Sequence, residues 1–225
     1  MTGPGAGLLR RLADPPHYEE MAPPVGGGAG PAGNARLTAL TGSLLLIPLA
    51  LVFGSGIIFS QLRTVHFFVG FLLIPLVALK LASTGWRVLR YYVVDRRDGG
   101  YRRVGPPWWL PRALAPLVAA SAVVALLSGV ILWVDRTQRG LWSTVHTDSV
   151  VVLAVSVGVH LLLRAWRTTW ETGVEVGRIT APRLPGRSAR AAVLVAVLLC
   201  GAVVGGVLTA RTDWPAQLAG PREGR

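Results

Sequence analysis

The chain has 225 residues, 52% of them hydrophobic, and a mean hydropathy of +0.50, which excludes an ordinary soluble domain. Its net charge of +12 comes from 22 arginines and one lysine that crowd beside apolar runs, the pattern of membrane loops rather than of a nucleic-acid-binding surface. The only cysteine, Cys200, excludes a disulfide framework, a Cys-x-x-Cys-His haem attachment and a cysteine-held iron–sulfur cluster.

Residues 1–35 are rich in Gly, Pro and Ala and carry no apolar segment of signal-peptide length, so they read as a disordered cytoplasmic tail. His17 lies there among prolines and is expected to be solvated. Residues 36–210 read as a transmembrane bundle, because five apolar runs of near-spanning length follow one another at about 37–59, 65–86, 114–134, 145–163 and 191–210. The predicted fold is therefore an all-α integral membrane protein with five transmembrane helices. Residues 211–225 form a short tail beyond the last span.

The first run contains Pro48 and ends in the small group Gly54-Ser55-Gly56. Small residues there admit either a neighbouring helix or a flat cofactor close to the backbone. A short link, 60–64, predicts a hairpin with the second run, which carries His66 near its start, then Gly70, Pro75 and Lys80. The third run has Gly129 near its end, and the fourth carries His146 and His160. The fifth has no charged or histidine side chain, and its Gly201, Gly205 and Gly206 form a stripe suited to helix packing.

Loop charge predicts orientation. Thirteen arginines lie in the two loops after the second and fourth runs, against three (Arg63, Arg136, Arg139) in the opposite loops. The rule that positive loops stay inside puts the N-terminus in the cytoplasm and the C-terminus outside.

The histidines carry the chemistry. His146 and His160 are fourteen residues apart, so both leave nearly the same helix face, separated by roughly 21 Å along the axis. An ionisable ring inside a span marks a function by default, because hydrocarbon offers it no water. A second segment copies the first. Thr64-Val65-His66 matches Thr144-Val145-His146, and Ser55-Gly56-Ile57-Ile58 matches Ser128-Gly129-Val130-Ile131. Lys80 stands where the later copy has His160. Such parallel repeats are a known membrane architecture, related by an axis along the membrane normal. His66 and His146 then share a depth near the outer face and can grip one flat metal cofactor from both sides. Haem iron with two axial imidazoles suits that geometry, with Gly56 and Gly129 providing thin helix surface beside it. Arg63, Arg136 and Arg139 lie just outside and could pair with haem propionates. The plainer alternative is that each histidine is an interfacial anchor or an interhelical hydrogen bond.

With His-x13-His on parallel helices, runs one to four resemble the haem-holding core of cytochrome b proteins. The segments Lys80–Arg87, Arg90-Tyr91-Tyr92 and Tyr101–Pro107 resemble a narrower group. These are bacterial membrane cytochromes fused to, or found beside, molybdopterin-dependent oxidoreductases of the sulfite oxidase type. The resemblance implies a four-helix haem bundle in a bacterial cell membrane, with haem b held by His66 and His146. It also implies electron traffic between a quinone pool and an extracytoplasmic oxidoreductase partner. A two-haem cytochrome b needs four histidines. His160 would serve a second haem, but Lys80 departs from the pattern at the fourth place, so one haem is expected and a second is left open. Two other functions remain: a self-contained quinone- or ferric-reductase-like enzyme, and a haem-free assembly or transport protein.

Overall fold

The computed structural model describes residues 31–94, 109–136, 140–177 and 186–212. These form five long helices, with no strand among them: α1 (Pro31–Ile57), α2 (Phe59–Leu89), α3 (Trp109–Asp135), α4 (Leu141–Gly177) and α5 (Arg187–Ala210). A π-helical turn, Arg90–Val94, extends α2. Each helix contains an apolar stretch long enough to cross a membrane, the shortest being 22 residues. The chain is thus an all-α multi-pass membrane protein. Helices suit this sequence because hydrocarbon leaves every backbone N–H and C=O to be satisfied within the segment itself.

The helices run past the apolar stretches that signal them. α4 continues to Gly177, well beyond the expected end at 163, and α3 begins at Trp109 rather than 114. Hydropathy marks where lipid contact ends, whereas the hydrogen-bond ladder continues through polar residues at the interface. The expected link 60–64 is also helical. α1 and α2 are separated by Ile58 alone, and the chain adjusts at Leu62, whose φ of −112° and ψ of 26° kink α2. Of the expected tails, residues 31–35 belong to α1 rather than to a disordered segment, Arg211 and Thr212 follow α5, and the rest, His17 included, lies outside the described residues.

Packing follows the repeat. α1 pairs with α2 and α3 with α4, while α1 also meets α4 and α2 meets α3. These contacts close a ring in chain order, so α2 and α4 face each other across its diagonal. α5 stands outside the ring, against α2. There Gly201 and Gly205 lie against the Leu72 and Phe68 carbonyls.

The interior is small and weakly polar. Thr41, Ser55 and Ser128 are at most 2% exposed, while Ile57 and Leu162 are over 80% exposed. That distribution suits lipid, where large aliphatic groups gain nothing by hiding and small ones let helices approach. The buried hydroxyls are satisfied within their own helices: Thr41 donates to the Leu37 carbonyl, Ser55 to Val52 and Ser128 to Val124. Leu45, Val69, Leu73 and Leu76 form one apolar cluster, and Ala122, Ala125 and Leu153 a second.

Candidate functional site

His66 and His146 come together. Each lies in the first part of an antiparallel partner's mate, α2 and α4, so both sit at the same end of the ring. Their ring centroids are 6.3 Å apart with planes at 79°. The diagonal of the bundle is therefore bridged by two imidazoles.

Each ring is held in the same way. The His66 Nδ1 lies 3.2 Å from the Val52 carbonyl and 3.3 Å from the Ser55 hydroxyl, both on α1. The His146 Nδ1 lies 3.0 Å from the Ala125 carbonyl and 3.2 Å from the Ser128 hydroxyl, both on α3. A ring nitrogen this close to a carbonyl oxygen must carry hydrogen, because a carbonyl only accepts. Nδ1–H therefore donates in both rings, and the serine hydroxyls point their own hydrogens at carbonyls of their helices. The tautomer follows from these partners: a neutral imidazole protonated at Nδ1 leaves the Nε2 lone pair available. Among the described residues, the hydrogen bonds of both rings all fall on Nδ1.

The glycines complete the cradles. A Cβ added at Gly56 would stand 3.4 Å from the His66 Cε1, and one at Gly129 would stand 3.1 Å from the His146 Cε1. Carbonyl, hydroxyl three residues on and glycine four residues on thus form one unit, present as Val52-Ser55-Gly56 and as Ala125-Ser128-Gly129. Sequence pattern singles out the Ser-Gly pairs as part of the repeat but not their role as ring partners. The signal is that a serine and a glycine recur together, opposite each histidine.

Phe59 stands edge-on to His66 at 5.2 Å, and the Arg63 guanidinium lies 5.4 Å over the Phe59 ring. Arg136 is exposed at the end of α3 with φ of 54°, and Arg139 lies outside the described residues. Gly54 and Gly70 have no atom within 4 Å of an added Cβ. His160 and Lys80 stand far from this pair, toward the other end of α4 and α2. Lys80 donates to the Thr38 carbonyl of α1. No group of three or more His, Cys, Asp or Glu side chains able to hold a metal ion occurs among the described residues.

The chain matches no family model, no curated protein and no solved structure.

Proposed function

We propose that this chain is a membrane electron-transfer protein in which His66 and His146 hold one haem b across the diagonal of the α1–α4 ring. The observation that carries this reading is the pair of imidazoles at 6.3 Å, each tied through Nδ1 to a neighbouring helix. Two imidazoles on opposite sides of one metal, with metal–nitrogen bonds of about 2.0 Å, have centroids roughly 6 Å apart. The donor chemistry fits as well. A metal-bound histidine ordinarily donates its other ring N–H to a carbonyl or similar acceptor, which fixes its orientation and strengthens it as a ligand.

A haem b held by the His66 and His146 imidazoles would supply one-electron transfer. The chain's own residues do the rest. Val52 and Ala125 lend carbonyls that hold the tautomer, Ser55 and Ser128 fix the ring planes, and Gly56 and Gly129 let the rings sit close to the helix backbone. Arg63 and Arg136 lie at the same end, where they can meet carboxylates. The partners proposed, a quinone pool and an extracytoplasmic molybdopterin-dependent oxidoreductase, rest on the resemblance to bacterial membrane cytochromes alone. On the same resemblance, the membrane proposed is a bacterial cell membrane.

Absorption spectroscopy of the purified protein tests this. The wild type is expected to show a low-spin, bis-imidazole haem b spectrum, and His66→Ala or His146→Ala to abolish it while the protein still inserts. A wild type purified without haem, or variants that both keep the spectrum, would instead favour the haem-free assembly or transport alternative.

A further inference from the structure

Resting on that reading, the other end of the ring has an unassigned feature. Lys80 follows His66 by fourteen residues on α2, which places it on nearly the same helix face about 21 Å away. What it meets on α1 repeats what His66 meets. Its Nζ donates to the Thr38 carbonyl, as the His66 Nδ1 does to Val52. Thr41 supplies a fully buried hydroxyl three residues further along, as Ser55 does. Gly42 follows, and a Cβ there would stand 2.8 Å from the Lys80 Nζ, as one at Gly56 would stand against the His66 ring. Thr38-Thr41-Gly42 therefore repeats the carbonyl and glycine contacts of Val52-Ser55-Gly56 four turns away along α1, with a hydroxyl at the same spacing that here donates to the Leu37 carbonyl.

The opposite half is incomplete in the complementary way. His160 holds the register of Lys80 on α4, but α3 carries Leu114 and Ala115 where α1 carries Thr41 and Gly42. One side of this level keeps the cradle and has lost the imidazole. The other keeps the imidazole and lacks the cradle.

We propose that Lys80 plugs a second imidazole cradle, and that this side chain, with Ala115 opposite, limits the bundle to one haem. A lysine amine spent on the Thr38 carbonyl fills the space a ring would occupy. Neighbouring bonds tie α1 to α2 beside it: the Asn34 side-chain amide donates to the Ser83 carbonyl at 3.0 Å, and the Thr38 hydroxyl to Ser83 Oγ at 3.2 Å. The ligand class of the restored level would be the same as that of the first, a haem between two imidazoles.

The haem-to-protein ratio is the readout, measured on the full chain in detergent. Wild type and Lys80→Met are expected to hold one haem, and Lys80→His with Ala115→Gly to approach two, with a second step in the redox titration. Because the spectrum of the first haem reports folding, a double variant that keeps this spectrum and still holds one haem overturns the proposal. So does a wild type that already holds two. A wild type without haem refutes the reading of the His66–His146 site as well, and is thereby distinguished from failure at Lys80 alone. A second measurement uses the fact that Lys80 is the chain's sole lysine. A small membrane-permeant amine reagent should leave it unmodified in the folded protein and modify it after denaturation. Ready modification in the folded state also overturns the proposal.

Discussion

At the scale of single residues, the two cradles differ in ways that predict graded effects. Serine adds to each Nδ1 a second partner beside the carbonyl, so removing it should loosen the ring without freeing it. Ser55→Ala and Ser128→Ala are expected to weaken haem retention by about tenfold, the low end for loss of an outer partner of a metal ligand. Retention during dilution or competition with apomyoglobin measures it, and unchanged retention in both would show the carbonyls alone to suffice. The glycines predict an order. An added methyl meets the His146 ring at 3.1 Å but the His66 ring at 3.4 Å, where ordinary contact begins. Gly129→Ala should therefore lower haem content more than Gly56→Ala, and the reverse order would mean that the α1 side is the less yielding one.

Among the helices, α5 is held by close backbone approach rather than by a large apolar face. A Cβ at Gly201 would lie 2.9 Å from the Leu72 carbonyl, and one at Gly205 would lie 2.8 Å from the Phe68 carbonyl. Both neighbours are backbone and cannot swing aside, so α5 must back away from α2. Gly201→Val and Gly205→Val are each expected to cost about 1–3 kcal/mol, read as a lower thermal midpoint in detergent. Gly206, one residue on, has nothing within 4 Å. Gly206→Val should leave the midpoint in place, and an equal loss there would mean that the cost is not specific to the α2–α5 contact. α5 packs on α2 at Phe68 and Leu72, so the spectrum of the proposed haem should outlast moderate loosening of this helix.

For the whole molecule, antiparallel neighbours put the starts of α2 and α4 at one end with the ends of α1, α3 and α5. Which end faces the cytoplasm is a matter of loop charge, and the arginine imbalance predicts that the His66–His146 end lies outside. A periplasm-active reporter fused after Arg225 should be active and a cytoplasm-active one silent; the opposite pattern would invert the bundle. Depth also separates the histidines. With His160 roughly 21 Å along α4 from His146, His160→Leu should leave the first haem spectrum intact. Its complete loss would contradict the depth assigned to the pair.

The sequence by itself determined the membrane character, the five helices and the pairing of His66 with His146, because each rests on local or repeating signals. Apolar length is a property of each run, and the Thr-Val-His and Ser-Gly repeats fix which positions correspond. It could not determine where the helices end, since α4 continues well past its apolar run and the 60–64 link is folded into α2. Backbone hydrogen bonding, unlike hydropathy, does not stop at the lipid boundary. Nor did it give the partners of the rings. That Val52 and Ala125 offer carbonyls, which any residue type would supply, is invisible in side-chain identity. Only the crossing of α1 over α2 and of α3 over α4 brings those oxygens to Nδ1. The same holds for Lys80: the sequence marks a lysine out of place, while the tertiary structure sets its amine over Gly42 against the Thr38 carbonyl. Helix packing decides which backbone atoms a side chain can reach, and no single position of the sequence records it.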